Sequence, residues 1–163
     1  MKLSEFRVHL DIVDRAAPLP IEDVWNFLVN WERQSEWMLQ TKVWADRASG
    51  NDLGPRVIAF TGPAAQRFPT SRRARGLRRL GLLDEMLVTQ WQPPTYCAVD
   101  HVGSLLKGRG DFRLEEIDGG VRFSWFEEVD APWPVLLLLR PGILIGVHIS
   151  LRRFRKLLVH RLA

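Results

Sequence analysis

Several residue types that would direct this chain to a particular class of protein are scarce. Cys97 is the only cysteine among 163 residues, which excludes an internal disulfide and favours a reducing compartment. The four histidines do not form a pair at the spacing typical of metal ligands. We therefore expect neither a disulfide nor a metal site.

Long hydrophobic runs are also absent. The most apolar stretch, residues 133–145, is interrupted by Arg140 and Pro141, so it falls short of the roughly 18 residues that a membrane-spanning helix requires. Charged residues interrupt the apolar ones throughout residues 1–14, unlike in a secretory signal peptide. We therefore expect no transmembrane segment and a cytoplasmic protein.

The motifs of several common enzyme classes are missing too. The sequence has no Gly-x-Ser-x-Gly elbow, no dinucleotide-binding fingerprint and no His-Glu-x-x-His motif. Gly108 and Gly110 look superficially like a phosphate loop, but no lysine followed by serine comes after them. Glycines inside a strand more often mark a sharp bend of the sheet. We therefore expect no cofactor.

Positive charge is concentrated in one segment. Lysine and arginine number 23 against 19 acids, giving a net charge of +4, but six of the arginines lie in residues 64–81, where no acid occurs. Without these six, 17 basic residues remain against the 19 acids. A nucleic-acid binder carries positive charge more widely, so nucleic acid is an unlikely partner. The segment is either a solvated loop or a basic insertion that contacts an anionic membrane surface through Arg67, Arg72, Arg73, Arg75, Arg78 and Arg79.

Most of the remaining chain has the pattern of β-strands. Phe6, Val8, Leu10 and Ile12 occupy alternate positions near the start, which predicts a strand with these side chains facing inward. The dipeptide Gly119-Gly120 after an aspartate is typical of a hairpin turn. Similar runs predict further strands at residues 42–46, 56–61, 82–91, 95–102, 105–117 and 121–129.

Helical patterns occur after the first strand and at the end of the chain. Pro20 and the acids that follow it suit a helix start, and a second short helix is predicted at residues 31–38. For the end of the chain, we predict a short helical lead-in over residues 133–145, a kink at residues 140–142 and then a long amphipathic helix. Its apolar stripe consists of Val147, Leu151, Phe154, Leu158 and Leu162.

Two segments in this order resemble a known superfamily. Residues 17–37, APLPIEDVWNFLVNWERQSEW, are similar to the strand-to-helix-pair segment of the SRPBCC superfamily, the START-like or Bet v 1-like proteins that include the polyketide cyclase/dehydrase type. Residues 82–132 with the helix that follows resemble its second half. The resemblance implies an α+β helix-grip fold, with a curved antiparallel sheet of six or seven strands around the C-terminal helix and a ligand cavity between them. The chain departs from it at the basic insertion, residues 64–81.

Glu127 is the most informative candidate site residue. It follows Val121, Phe123 and Trp125 at every second position, so its carboxylate shares their face, which is predicted to be the interior. A buried carboxylate is costly unless it is paired, and such groups are often functional. We predict that Glu127 lines the cavity, unless a bulge or the strand end turns it to water.

His101 is a second candidate. It lies in a mid-chain strand near the predicted cavity, and histidine exchanges protons near neutral pH, as a cyclase or dehydratase requires. A strand histidine can equally face solvent or form a hydrogen bond to a neighbouring strand. The sequence leaves these three alternatives open.

The remaining candidates are apolar. Trp37 and Met38 end the helix pair where the resembled superfamily opens its cavity, so we predict that they contact ligand, whereas Trp25 and Trp31 belong to the core. If the resemblance holds, the cavity wall also includes Trp125, Ile143 and Val147.

These observations predict one domain over residues 1–163 that binds, or transports, a small hydrophobic ligand such as a lipid or a polyketide-like compound. One alternative is a cyclase or dehydratase with Glu127 or His101 as acid or base. Another is an interaction module without a ligand.

Overall fold

A computed structural model describes residues 2–45, 56–63, 65–67 and 81–162. A short 3-10 turn, Ala65–Arg67, lies at the start of the basic insertion. The strands and helices are β1 (Lys2–Val13), α1 (Ile21–Leu28), α2 (Trp31–Trp37), β2 (Thr41–Ala45), β3 (Arg56–Thr61), β4 (Leu82–Gln92), β5 (Tyr96–His101), β6 (Lys107–Ile117), β7 (Gly120–Ala131) and α3 (Trp133–Leu162).

The strands form one antiparallel sheet. Its seven strands lie in the order β1-β7-β6-β5-β4-β3-β2, so the first strand pairs with the last and every other neighbour is also a neighbour in sequence. With the two short helices after β1 and the long helix at the end, this is the α+β helix-grip fold that the sequence predicted. The prediction of the fold class is confirmed.

The alternating pattern determines which side chains reach the core. In β1, Ile12 is buried, and Phe6, Val8 and Leu10 pack against the same cluster, as predicted. In the pairing of β1 with β7, Phe6 lies opposite Glu127 and Val8 opposite Trp125. Side chains of both strands therefore share the face of the sheet that packs against the core.

The helix pair covers part of that face. α1 begins after Pro20, and the Asn30 side chain accepts a hydrogen bond from the backbone N–H of Arg33 at the start of α2. Val24 and Leu28 are fully buried in the core. Both short helices therefore have the positions that the sequence predicted.

The terminal helix packs on the same face, with Val147, Leu151, Phe154 and Leu158 buried. The sequence predicted a short helical lead-in, a kink at residues 140–142 and a long helix, and in the structure the lead-in and the long helix are one continuous helix of 30 residues, α3. Pro141 removes only one backbone N–H donor, and its neighbours remain in helical conformation.

Most of the basic insertion lies outside the described residues. This applies to the side chain of Arg67 and to the whole of Arg72, Arg73, Arg75, Arg78 and Arg79. Among the residues that the structure does describe, no helix has both the length and the apolar character needed to cross a membrane.

Candidate functional site

A cavity of about 390 Å³ lies between the sheet, α2 and α3. This volume is in the range of small-molecule sites. Strand residues supply most of its wall, including Phe6, Met86, Val99 and Phe112. The wall is therefore largely apolar.

One part of the wall is polar and centres on His101. His101 is buried, with 4% of its side chain exposed, and both ring nitrogens contact carboxylates. Nδ1 lies 2.8 Å from Oδ2 of Asp84 on β4, and Nε2 lies 2.7 Å from Oε2 of Glu127 on β7. We call Asp84, His101, Trp125 and Glu127 the polar cluster.

The two contacts determine the protonation of His101. An ionised carboxylate only accepts hydrogen bonds, so each ring nitrogen must carry a proton to donate one. Burial by itself lowers the pKa of His101, but the hydrogen bonds and negative charges of Asp84 and Glu127 outweigh it and raise the pKa to about 10. His101 is therefore an imidazolium at neutral pH.

Glu127 is fixed by three neighbours. Its Oε2 accepts the bond from His101, and its Oε1 accepts one of 2.8 Å from Nε1 of Trp125, two residues earlier on β7. Gly110 lies opposite Glu127 in the pairing of β6 with β7. A Cβ atom at Gly110 would lie 2.5 Å from Oε2, so the absence of a side chain leaves room for the carboxylate. The predicted position of Glu127 on the cavity wall is what the structure shows.

The sequence analysis missed Asp84. Its side chain lines the cavity and is 15% exposed, but its Oδ1 atom is buried and has no hydrogen-bond partner among the described residues. The sequence contained a signal for it. Asp84, Met86 and Val88 occupy alternate positions of one strand, so their side chains lie on the same face of the sheet.

Cys97 also lies on the cavity wall. Burial and, to a smaller extent, the charge of Asp111 raise the pKa of its thiol to about 12. The thiol is therefore protonated, and Cys97 is a weak nucleophile.

The tryptophans of α2 depart in part from the prediction. Trp31 belongs to the core, as predicted, and with Met38 it also lines the cavity. Trp37 is fully buried and does not line it; its ring packs against Phe154 and Trp125, with centroids 5.0 and 6.1 Å away. Helical spacing explains this correction, because residues seven apart share a face whereas adjacent residues point about 100° apart.

α3 provides the opposite wall through Gly146, Val147 and Ser150. The backbone N–H of Leu39 donates to Oγ of Ser150 at 2.9 Å, and this bond joins the loop after α2 to α3. Val147 therefore has the predicted position, whereas the side chain of Ile143 lies outside the described part of the chain.

In the described ranges, no three histidine, cysteine, aspartate or glutamate side chains are grouped so that they hold a metal ion.

No family model matches the chain, and no curated protein matches it in sequence. Solved structures do match. Protein Ms6760 from Mycobacterium smegmatis is 15% identical, with a TM-score of 0.63, over 96% of this chain and 91% of that one. Protein MLL2253 from Mesorhizobium loti is 14% identical, with a TM-score of 0.64, over 97% and 98%.

The third match is part of a larger protein. The di-domain ARO/CYC protein StfQ from the steffimycin biosynthetic pathway is 10% identical, with a TM-score of 0.64, over 94% of this chain. The chain spans 50% of that protein's length. At these identities the likeness concerns the fold alone. The chain therefore shares the helix-grip fold of these solved structures.

Proposed function

We propose that the protein binds a small hydrophobic ligand in the cavity between the sheet and α3. The observation that supports this most directly is a cavity of about 390 Å³ whose wall is largely apolar and carries the polar cluster on one part. Such a site buries the body of a ligand and orients it by a few polar contacts. An interaction module without a ligand needs no cavity of this volume. A lipid or a polyketide-like compound fits this description.

A neutral fluorescent probe, N-phenyl-1-naphthylamine, tests the proposal. We expect its fluorescence to rise on binding to the wild type and to fall on displacement by other apolar molecules. Val99→Phe and Gly146→Phe each add a ring at the cavity wall, from the sheet and from α3 respectively, and both are expected to weaken probe binding.

His148→Phe is the matched control, because His148 lies on α3 two residues from Gly146 but is exposed. Circular dichroism verifies that each variant is folded. Full probe binding by both folded cavity variants would contradict the proposal, as would an equal loss in His148→Phe.

A second candidate function is that of a cyclase or dehydratase, as suggested by the ARO/CYC name of StfQ. The observation that favours it is that two carboxylates and a histidine meet on the cavity wall. However, an imidazolium can donate a proton but cannot accept one, so His101 could serve only as the acid, and the base would have to be a carboxylate that is already bonded to it. The geometry therefore supports binding better than acid–base catalysis.

A β-hydroxy ketone that carries an aryl ring distinguishes the two functions. A dehydratase would remove the hydroxyl group and an α-proton as water, leaving a conjugated enone with a new ultraviolet absorbance. We expect no enone formation above the rate without protein. Enone formation by the wild type that is lost in Glu127→Gln and kept in Glu128→Gln would establish the enzyme instead.

Contact of the arginine-rich segment with an anionic membrane is a further proposal, supported by the charge pattern alone. Each basic residue near such a surface contributes about 1 kcal/mol. Vesicle co-sedimentation tests it: binding is expected only to anionic vesicles and is expected to fall when Arg72, Arg73, Arg75, Arg78 and Arg79 become glutamine. Equal binding to neutral vesicles would contradict it.

A further inference from the structure

The polar cluster has unused hydrogen-bond acceptors, whereas all of its side-chain donors already form hydrogen bonds. Both N–H groups of His101 and the indole N–H of Trp125 donate to the carboxylates. A carboxylate has about four acceptor sites, of which Glu127 uses two and Asp84 one within the described structure. A ligand group that meets this part of the wall therefore finds only acceptors.

The charge of the polar cluster also disfavours a ligand that offers only acceptors. His101 offsets at most one of the two carboxylates, so the cluster keeps a net negative charge. Among the described residues that line the cavity there is no lysine or arginine. Since the rest of the wall is largely apolar, this charge is weakly screened and repels an anion.

We infer that the ligand carries a hydrogen-bond donor that contacts Asp84 or Glu127, and that the site prefers an amine to an alcohol and an alcohol to a carboxylic acid. This inference rests on the proposed binding function and specifies its ligand class. It separates the site from one built for fatty acids, whose carboxylate requires a donor or a positive charge in the wall.

The net charge of the whole protein favours the opposite preference. At +4 the chain attracts anions and repels cations at long range. A preference for an amine therefore cannot come from the overall charge and must come from the cavity.

Three naphthalene derivatives of nearly equal size test this order: 1-naphthylmethylamine, 1-naphthalenemethanol and 1-naphthoic acid. Each displaces N-phenyl-1-naphthylamine from the wild type at 0.15 M salt and neutral pH. We expect the amine to bind at least about tenfold more tightly than the acid, with the alcohol between them.

Three substitutions then locate the preference. Glu127→Gln and Asp84→Asn each remove one negative charge and are expected to reduce the amine-to-acid affinity ratio by about tenfold. Glu128→Gln is the matched control: it makes the same chemical change one residue further along β7, where the carboxylate accepts a bond from Arg109 instead. Its ratio is expected to equal that of the wild type.

Each result has a distinct meaning. Equal or tighter binding of the acid overturns the inference and leaves the binding function intact. An unchanged ratio in both cavity variants overturns it as well. Failure of the probe and all three compounds to bind overturns the binding function and the inference together. If a cavity variant does not fold, the order measured on the wild type decides.

Discussion

Gly110 and Glu127 lie opposite each other across β6 and β7, and a Cβ atom at Gly110 would lie 2.5 Å from Oε2 of Glu127. The glycine thus allows a side chain on β7 to pass over β6 and reach His101 on β5, which in turn contacts Asp84 on β4. The polar cluster connects three strands of the sheet by side chains alone.

Substitution of Gly110 by alanine is expected to displace the Glu127 carboxylate from His101. Overpacking of this kind costs roughly 1–3 kcal/mol of the free energy of unfolding, measured in urea melts. Gly103→Ala is the control, because a Cβ there meets no atom closer than 3.4 Å. In a Glu127→Ala background the cost of Gly110→Ala should shrink by about 1 kcal/mol or more. Equal costs in both backgrounds would show that the two residues are not coupled.

The charge of His101 predicts how stability depends on pH. In the unfolded chain its pKa is about 6.5, and in the folded protein it is raised to about 10. The folded state therefore keeps a proton that the unfolded state loses between these values, so this contribution is complete below pH 6.5 and lost as pH rises to 10. Its size is on the order of a few kcal/mol.

Urea melts at several pH values between 6 and 10 measure this contribution. Stability of the wild type is expected to fall over that range more steeply than stability of His101→Gln, which lacks the titrating ring. His9→Gln is the control, since His9 lies on the exposed face of β1 and bonds only to Ser124 among the described contacts. Parallel profiles for the wild type and His101→Gln would contradict the assignment.

The two tryptophans of α2 are expected to respond differently to the same change. Trp37→Phe should lower the free energy of unfolding, by about 1–3 kcal/mol, because the ring fills the core between Trp125 and Phe154. Trp31→Phe should weaken probe binding more than Trp37→Phe does, because Trp31, which is also part of the core, lines the cavity. Urea melts and probe titrations of both variants measure these effects. A larger loss of probe affinity in Trp37→Phe than in Trp31→Phe would reverse the two assignments.

The terminal helix is expected to depend on Phe154. Its ring is fully buried, with the rings of Phe27 and Phe123 at 5.4 and 5.3 Å. Phe154→Ala should cost roughly 3–5 kcal/mol of the free energy of unfolding. Arg152→Ala, at an exposed position of the same helix, should cost less than about 0.5 kcal/mol. A loss under about 1 kcal/mol in Phe154→Ala would show that the helix is peripheral.

Local pattern was sufficient to predict the strands, the two short helices and the cavity-facing carboxylate of Glu127. Alternation depends on one strand at a time, so it requires no knowledge of partners. Asp84 could not be recognised in this way. Its position in the strand predicted which face it lies on, but its closeness to His101 follows from the pairing of β4 with β5, which places Met86 opposite His101. The register in which two strands pair depends on both strands, so it cannot be predicted from the pattern of either strand alone.

Helices were harder to orient than strands. Trp31 and Trp37 are both buried and aromatic, and only the packing of α2 against its neighbours decides which ring reaches the cavity. In α3, Pro141 predicted a kink between two helical parts, and the structure has one continuous helix there. A residue that weakens a helix locally is tolerated when packing elsewhere supports the helix.

The single cysteine of the chain gives the cavity a built-in chemical reporter. Because Cys97 lies on the cavity wall, any thiol reagent that modifies the folded protein reports on access to this one space. The raised pKa keeps the thiol protonated at neutral pH, so modification is slow and its rate is easily followed. A bound molecule then protects the thiol, and occupancy is measurable by mass spectrometry without any label on the ligand.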